Sequence, residues 1–333
     1  MNLDECITGG RVWRDGAVVD NQVTASDLHD HRLSQDEVLW VDLLRPPKDA
    51  FAELGRHLDL PATTIEDALS PNERPKVTQH EATVFFTVLT AIVAPEPASA
   101  STGRIQLARI SGVVTPRALI TIRLDDDVDP APIVAHWDDN PELLRYGSWA
   151  LLHGVLDAVV DGYFSALHAL DDAVEQIEDQ LFSDRPPGRD FTAEMFRLRK
   201  DVARMRRAVV PMRDVVTSVQ RYRPRDGSDL DHWYDDLYDH ALRSVDDADT
   251  MRELLGTMYE TNLNLQDNRL NVIMKKLAAW GAIIAVPTAI TGWYGQNLPY
   301  PGYNTAVGVW ASIALILAIG GLLYGQFKRR DWL

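Results

Sequence analysis

The distribution of apolar and charged residues singles out the carboxyl-terminal part of the chain. Residues 277–327 contain no Asp, Glu, Lys or Arg over fifty-one positions, and a segment from Gly295 to Tyr303 with two glycines and two prolines interrupts them. The flanks, 277–294 and 306–327, have eighteen and twenty-two residues. About 20 apolar residues of helix span a bilayer, and lipid offers unpaired backbone groups no partner. The pattern therefore predicts two transmembrane helices. A buried soluble hairpin is the alternative, although a core helix seldom stays free of charge around its whole circumference.

Basic residues border both predicted spans. They are Lys275 and Lys276 before the first span, and Lys328, Arg329 and Arg330 after the second. The joining loop, 295–305, contains no charge. Because Lys and Arg concentrate on the cytoplasmic side of a membrane, both termini are predicted to be cytoplasmic and the loop external. We therefore expect a multi-pass protein of the cytoplasmic (inner) membrane, in contact with lipid, whose residues 328–333 form a basic cytosolic tail.

Short strand-like runs alternate with helical patterns over residues 1–145. The strongest strand candidate is Ala82–Val93, which is rich in β-branched and aromatic residues. Arg104–Val114 and Ala118–Leu124 are consistent with neighbouring antiparallel strands, and Val38–Leu43 with a further strand. Two short helical patterns lie between these runs, at Asp49–Leu58 and Ala62–Ala68. We predict an amino-terminal cytosolic α/β sandwich, within a fold of the α+β class.

Long helical patterns follow. Within residues 146–229, Ser148–Phe182 and Phe191–Val219 are predicted to form an antiparallel helical hairpin. From about Leu230 to Tyr294 the only proline is Pro287. This stretch predicts one helix of about 100 Å. Its residues 230–276 form a cytosolic stalk, and its residues 277–294 form the first span.

One face of this long helix carries a continuous stripe of polar and small residues. At alternating steps of three and four, the face presents Glu260, Asn264, Asp267, Asn271, Met274, Ala278, Gly281, Ala285, Thr288 and Gly292. Close helix packing through small residues explains the membrane half alone. It does not explain the acidic and amide-bearing half, which suits a water-filled axis. Two spans cannot enclose a pore, so the stripe predicts a ring-shaped homo-oligomer. Met274 and Leu277 provide one bulky apolar level, suited to a gate that works by dewetting.

The charge balance agrees with a cation pathway. The net charge is −16, and residues 277–327 contribute none of it. An acidic cytosolic part argues against nucleic acid as a partner and favours divalent cations, although acidity also serves solubility. The single cysteine, Cys6, excludes a disulfide within one chain. A Gly-rich phosphate loop and a nucleophile constellation are both missing, so we predict that the chain is not an enzyme. We expect no cofactor other than a transported or regulatory Mg²⁺ or Zn²⁺.

Several segments resemble one known family. Asn271–Leu277 resembles the stretch that leads into the family's first span, and Tyr294-Gly295-Gln296-Asn297 stands where the family carries tyrosine and its Gly-Met-Asn signature. Further similar segments are Trp233–His240, Leu156–Phe164 and Glu73–Val77. On these residues the chain resembles the CorA-type divalent-cation (magnesium) transporters of the 2-TM-GxN superfamily, in a Gly-Gln-Asn variant.

The resemblance implies a funnel-shaped homopentamer whose first span lines the pore. Gly295, Gln296 and Asn297 would form an outer selectivity ring that holds a hydrated ion through its waters, because Mg²⁺ sheds water reluctantly. Asn271 could supply a deeper ring of the same kind. Met274 and Leu277 would form the hydrophobic gate, and the basic tail Lys328–Arg330 a cytosolic ring.

The chain departs from the family pattern in two places. Gln296 replaces the methionine of the signature, which opens the question of the preferred ion. The family's regulatory site pairs a stalk aspartate, here matching Asp236, with an acidic residue of a neighbouring subunit. The corresponding segment, Leu89–Pro95, has no carboxylate before Glu96, which puts that mode of regulation in question.

A local pattern on the stalk points to another metal. His232, Asp236 and His240 follow one another at four-residue steps, and so share one helix face. Imidazole with carboxylate suits Zn²⁺ better than Mg²⁺. The two histidines are about 12 Å apart along the helix, too far to hold one ion together. A pair could bind a metal with help from another subunit; solvated or interface histidines are the alternative.

Three functions follow from these patterns. The leading prediction is a Mg²⁺ channel or transporter with a central pore. The alternative is a transporter of Zn²⁺ or another transition metal, with or without proton coupling. A membrane-anchored cation sensor that conducts nothing is the hypothesis from another class.

Overall fold

The computed structural model describes residues 3–29, 34, 36–94, 103–183, 188–224, 227, 229–296, 299 and 302–333. The chain forms two compact units, Met1–Gly256 and Thr257–Leu333. In the described part of the first unit there are seven strands: β1 (Ile7–Arg14), β2 (Ala17–Asp20), β3 (Glu37–Leu44), β4 (Lys76–His80), β5 (Thr83–Val93), β6 (Ile105–Val114) and β7 (Ala118–Arg123). They form one sheet in the order β2-β1-β3-β7-β6-β5-β4, in which only β3 and β7 pair in parallel.

The described residues contain eight α-helices. They are α1 (Ala25–His29), α2 (Lys48–His57), α3 (Ala62–Leu69), α4 (Ala131–Asp139), α5 (Ser148–Leu181), α6 (Arg189–Tyr222), α7 (Asp229–Tyr294) and α8 (Ala306–Arg329). Short 3₁₀ helices occupy Leu3–Cys6 and Pro141–Tyr146. Helix α7 begins in the first unit and ends in the second.

Helices cover both faces of the sheet. On one face, Leu39, Val41 and Leu43 of β3 lie in a core with Phe51 and Leu54 of α2. On the other face, the ring of Trp40 meets Trp137 of α4 edge-on, with centroids 5.0 Å apart. Because both faces of the sheet are covered, the residues of β3 and β7 are buried without alternation.

One buried ion pair ties three strands together. Arg123 of β7 donates to Asp42 of β3 through Nε (3.0 Å) and Nη2 (2.6 Å), and both side chains are almost fully buried. Thr8 of β1 and Thr121 donate their hydroxyls to the same carboxylate at 2.6 and 2.7 Å. Nη1 of Arg123 also donates to the backbone oxygen of Val128 at 2.6 Å, which fixes the acidic segment before α4. Every strong acceptor of the buried carboxylate is thus used, the condition under which a buried charge is tolerated.

The start of α7 is held firmly by the other helices of the first unit. The hydroxyl of Tyr234 donates to the backbone oxygen of Trp149 in α5 at 2.8 Å. Gln220 of α6 donates to the backbone oxygen of Tyr234 at 3.0 Å. About four turns farther along α7, Arg206 of α6 forms an ion pair with Asp249 at 2.5 Å. Because these contacts combine burial with hydrogen bonding, the first turns of α7 are a fixed part of the first unit.

The second unit contains the end of α7 and all of α8. Thr305 caps α8 by accepting a hydrogen bond from the backbone nitrogen of Gly308 at 3.3 Å. Gly302 adopts a φ of +91° and lies against Gly308, so a side chain is disfavoured at both positions. Three helices of the described chain, α5, α7 and α8, are long and apolar enough to cross a membrane.

The predicted elements are largely confirmed. The helices α2, α3, α5, α6 and α7 and the strands β3, β5, β6 and β7 lie within a few residues of their predicted bounds. The predicted antiparallel pairing of β6 with β7 is also confirmed. The α/β sheet with long helices is therefore as expected. The sequence interpretation missed β1, β4, α1 and α4, which are short or interrupted by glycine.

Candidate functional site

The predicted stripe lies along the exposed surface of α7. Every member is exposed, from the stalk half to the apolar half: Glu260, Asn264, Asp267, Asn271, Met274, Leu277, Ala278, Gly281, Ala285, Thr288 and Gly292. The side chains of Met274 and Leu277 are each 64% exposed. Within one chain, none of the residues that the structure describes buries this face. Residues on other faces, such as Trp280 and Trp293, are exposed as well, so the exposure marks a helix whose surroundings come from outside its own chain.

Two threonines near Pro287 donate their hydroxyls to backbone oxygens one turn earlier in α7. The hydroxyl of Thr288 donates to the backbone oxygen of Ile284 at 2.9 Å, and that of Thr291 donates to the backbone oxygen of Pro287 at 2.8 Å. Such i to i−4 contacts satisfy the hydroxyls of threonines in an apolar helix. The oxygen of Thr288 keeps its lone pairs as acceptors on the stripe.

The signature segment begins at the end of α7. The helix ends at Tyr294, where the backbone nitrogen of Gly295 donates to the oxygen of Thr291 at 2.8 Å and that of Gln296 donates to Trp293 at 3.2 Å. Gly295 and Gln296 are exposed. Asn297, the third predicted filter residue, lies outside the described residues. The structure therefore gives the approach to the predicted filter, a turn that directly continues the helix.

The predicted basic ring lies at the end of α8. Lys328, Arg329 and Arg330 are exposed. The ammonium group of Lys328 is 5.9 Å from the ring centre of Tyr324, within cation–π range. Beyond the helix, the ring of Trp332 stacks on Phe327 with centroids 5.5 Å apart. The tail is thus folded back on the last turn of α8.

The predicted stalk site is only partly assembled. Nδ1 of His240 lies 3.8 Å from Oδ2 of Asp236, and both side chains are substantially exposed. His232 is also exposed, one turn before Asp236. Among the residues that the structure describes, no group of three or more His, Cys, Asp or Glu side chains is arranged to hold a metal ion. One chain thus offers two ligands at this place.

Comparison with known proteins identifies the family of this chain. The family described as CorA-like Mg2+ transporter protein matches residues 35–329. The chain belongs to this family. The CorA-like chain is 25% identical over 331 residues to the cobalt/magnesium transport protein CorA of Methanocaldococcus jannaschii, covering 98% of this chain and all of that one. It is 24% identical to the protein of the same name from Thermotoga maritima, over 86% of this chain and 80% of that one.

Solved structures agree with this assignment. The complete structure of the CorA magnesium transporter from Methanocaldococcus jannaschii has a TM-score of 0.75 at 23% identity, with 97% of this chain and 98% of that chain covered. The ZntB cytoplasmic domain from Vibrio parahaemolyticus has a TM-score of 0.59 at 12% identity, over 80% of this chain. At such identities the likeness concerns the fold. As a CorA-type chain, the protein belongs to a family of membrane-embedded divalent-cation transporters that carry a soluble domain.

The structure reveals a second group of candidate residues, in the first unit, that the sequence analysis did not select. Nδ1 of His136 in α4 lies 3.1 Å from Oδ2 of Asp157 in α5. A cavity of about 380 Å³ adjoins this pair and is also lined by Thr90, Asp127 and Asp161. Burial raises the pKa of Asp161, and the neighbouring charge of Asp157 adds to the effect. Asp157 and Asp161 belong to a segment whose resemblance to the family was visible, whereas their meeting with α4 depends on tertiary packing.

The same cavity brings carboxylates close to β5, whose segment Leu89–Pro95 contains none. Thr90, Ala91 and Ile92 of β5 line the cavity with apolar or neutral groups, as the sequence indicates. Its carboxylates come instead from Asp127 and Asp129, before α4, and from Asp161 in α5. Carboxylates therefore lie beside β5 without belonging to it.

Proposed function

We propose that the chain assembles as a homo-oligomer, most simply a pentamer, around a pore lined by α7, and that this pore takes up Mg²⁺. The observation that carries the proposal is the exposed stripe from Glu260 to Gly292 on a family member whose α7 is otherwise apolar in its second half. A stripe of acids, amides and small residues suits water and a hydrated cation rather than lipid. One stripe on each chain closes a pore only when several copies surround it.

The proposed topology follows from charge. Residues 277–294 and 306–327 cross the inner membrane, residues 295–305 form the external loop, and both termini lie in the cytoplasm. Lysines and arginines at the inner borders of both spans support this orientation. Residues 1–145, 146–229 and 230–276 then form the cytosolic sandwich, hairpin and stalk.

The proposed ion path has three levels. Gly295, Gln296 and Asn297 form the outer filter, whose neutral amide and carbonyl oxygens hold hydrated Mg²⁺ through its waters without trapping it. Asn271 supplies a second amide ring. Met274 and Leu277 form the gate between this ring and the membrane half of the pore.

A regulatory metal site is a further part of the proposal. Asp236 and His240 supply two ligands on the stalk. A neighbouring copy has to supply the remainder. The carboxylates beside β5, Asp127, Asp129 and Asp161, are the candidates for that contribution.

The test is ion flux into liposomes that contain the purified protein, with dyes for Mg²⁺, Zn²⁺ and pH in parallel. We expect Mg²⁺ entry that falls at least about tenfold in Asn297→Ala and in Asn271→Ala, because each removes a ring of ligands from the path. Gln266→Ala is the matched control, since Gln266 lies off the stripe and donates to Asn262 of its own helix. Equal loss in the control would contradict the assignment of the stripe.

Zinc transport is the second candidate, favoured by the His240–Asp236 pair and by Gln296 in the filter. Zinc entry with a change of pH, and without a Mg²⁺ signal, would select it. Silence for both ions, with the protein folded, would instead favour a cation sensor that does not conduct.

A further inference from the structure

The hairpin of α5 and α6 carries exposed charges of opposite sign on its two helices. Near the end of α5 the exposed charges are all acidic, and we call them the acidic face: Asp171, Asp172, Glu175, Glu178 and Asp179. Near the start of α6 the exposed charges between residues 196 and 207 are all basic, and we call them the basic face: Arg197, Arg199, Lys200 and Arg207. The one carboxylate in that stretch of α6, Asp201, is buried.

The two faces do not meet within one chain, although α5 and α6 pack on each other. Each helix has a buried side at steps of three and four residues, which includes Ile177 in α5 and Met195 in α6. Among the residues that the structure describes, no member of either face forms an ion pair. The ion pairs of α6 with known partners use other side chains: Arg204 with Asp201, Arg206 with Asp249, and Arg213 with Asp214. Both faces therefore point outward.

The acidic face is unfavourable for an isolated helix. Asp171, Glu175 and Asp179 follow one another at four-residue steps, a spacing at which like charges repel. Glu178 and Asp179 also lie in the last turn of α5, which has no basic residue, at the end of a helix that disfavours anions. A surface that serves solubility alone mixes both signs. A cationic surface laid against the acidic face reverses both unfavourable effects.

The basic face of α6 has the position and composition of such a surface. Asp171 lies ten residues before Leu181, the end of α5, and Arg199 lies ten residues after Arg189, the start of α6. In an antiparallel hairpin the two faces are therefore at about the same height. Arginine and aromatic residues are enriched at protein interfaces, and Phe196, beside the basic face, is 54% exposed. Faces of equal height allow identical copies to stand side by side by rotation alone, as a closed ring requires.

We propose that the acidic face of one copy docks on the basic face of the next copy, so that the α5–α6 hairpins form a contact between neighbouring subunits. This contact rests on the proposed homo-oligomer, for which it supplies a surface between copies. Because each chain presents both faces, every hairpin offers its acids to one neighbour and its bases to the other. Exposed ion pairs are individually weak and are screened by salt, so the contact depends on the whole face and loosens at high ionic strength.

Cysteine crosslinking between two differently tagged full-length chains tests the contact without reference to transport. Cys6 is buried, so the wild type gives the background of labelling. Chains with Asp172→Cys and with Arg199→Cys are co-expressed, and isolated membranes are treated with a short bifunctional maleimide. Each chain has one exposed cysteine, so a heterodimer forms only between copies. We expect at least about tenfold more heterodimer than for Asp172→Cys with Arg221→Cys, an exposed control about 33 Å farther along α6.

Charge reversal tests whether complementarity, rather than proximity alone, forms the contact. The reporter pair is Glu175→Cys in one chain and Arg197→Cys in the other. Asp172→Arg in the first chain should lower the yield of heterodimer at least about threefold, because attraction becomes repulsion. Arg199→Asp in the second chain should then restore the yield, whereas the exposed control reversal Arg221→Asp should not. Without reversals, raising the salt concentration from about 0.05 M to about 0.5 M should also lower the yield.

The mass of the protein in detergent, measured on the same preparations, separates failure of the contact from failure of the proposed function. An oligomer that gives no acidic-to-basic heterodimer would overturn the contact and leave the proposed pore, with the two faces available to cations or to anionic lipid. A monomer without heterodimer would overturn both. Equal yields for the control pair, or no rescue by the second reversal, would overturn the contact as well. The two cysteine pairs are independent, so unfolding of a variant in one pair, detected by its thermal midpoint, leaves the other pair decisive.

Discussion

Helices α5 and α8 are both long and apolar enough to cross a membrane, yet they use their apolar surface in opposite ways. In the most apolar window of α5, 67% of the residues are buried within the chain, whereas in that of α8 only 6% are. Helix α5 lies on the sheet, where the hydroxyl of Tyr163 hydrogen-bonds to β5 and Gly154 admits Trp137. Helix α8 and the second half of α7 have no such cover among the described residues. Hydropathy alone therefore does not separate a core helix from a membrane helix, and burial within the chain does.

The difference is already present in the charges. Helix α5 carries exposed acids such as Asp171, Asp172 and Glu175, as a half-covered helix in water requires. Helix α8 has no charge before Lys328. Matched substitutions in the two kinds of helix should accordingly have unequal effects.

The largest inequality is expected for a carboxylate. Leu170→Asp places an unpaired charge at a fully buried position of α5 and should lower the free energy of unfolding of the first unit by at least about 4 kcal/mol. Leu317→Asp, at a position 69% exposed in α8, should leave the thermal midpoint of that unit unchanged. Its cost, about 3 kcal/mol at mid-membrane, should appear as reduced membrane retention after alkaline extraction. Similar thermal midpoints for the two variants would remove the distinction.

A leucine truncation gives the next effect. Leu156→Ala in the core face of α5 should cost about 2–5 kcal/mol of unfolding free energy, because the cavity cannot fully collapse. Leu277→Ala, 64% exposed in α7, should cost less than about 0.5 kcal/mol and should raise resting flux by opening the proposed gate. Denaturant titration and liposome flux measure the two quantities on the same preparations. A stability loss of equal size at Leu277 would show that this side chain is packed rather than pore-facing.

Replacement of a glycine by alanine should lower stability in α5 and raise it in the second half of α7. A Cβ at Gly154 would lie 2.3 Å from Nε1 of Trp137, so Gly154→Ala should destabilise the first unit by about 1–3 kcal/mol. Gly281 has nothing within 4 Å of that position, and Gly281→Ala should gain helix propensity of about 1 kcal/mol. If Gly281 faces a pore, the same methyl should slow flux. Thermal unfolding and ion flux are measured for both variants. Unaltered flux in Gly281→Ala would show that this face of α7 does not line the ion path.

The smallest effect is expected for a single hydroxyl. Tyr163→Phe in α5 removes the donor to the backbone oxygen of Leu89 inside the core and should cost about 1–2 kcal/mol. Tyr324→Phe in α8, where Tyr324 is 46% exposed, should change the unfolding free energy by less than about 0.5 kcal/mol. Chemical denaturation of the two variants in parallel makes the comparison. A cost at Tyr324 as large as that at Tyr163 would indicate a hidden partner for its hydroxyl.

Much of the fold could be predicted because its signals are local. Prolines and glycines mark the ends of α5, α6 and α7, and the dense β-branched run of β5 announces a strand. Strand β1 was not predicted because Gly9 and Gly10 interrupt its pattern. These glycines are needed where Trp40 and Val23 approach the backbone. Helix α4 was not predicted because it is short and contains Pro132. In these elements the tertiary contacts, rather than the local pattern, decide the conformation.

The candidate site likewise has a part that local sequence predicts and a part that depends on tertiary or intermolecular contacts. The stripe on α7 depends on helical spacing alone, so its members could be named from the sequence. Closing the stripe into a pore requires other copies of the chain, so the pore remains a prediction. The filter at Gln296 also remains a prediction, because its neighbour Asn297 lies outside the described residues. The meeting of His136 and Asp157 depends on how α4 packs on α5, which no spacing along the chain reveals.

The two edges of the sheet limit how copies of the chain can associate. Strand β2 has four residues and ends at Asp20, and strand β4 presents Lys76, Gln79 and His80 at the opposite edge. Lys76 is also engaged by Asp67 at 2.6 Å and by Glu73 at 3.0 Å. Short edges with charged or polar side chains resist the addition of a further strand. The sheet is thereby protected against growth into a fibre, and self-association is directed to helical surfaces, where the number of copies is set by geometry and can close.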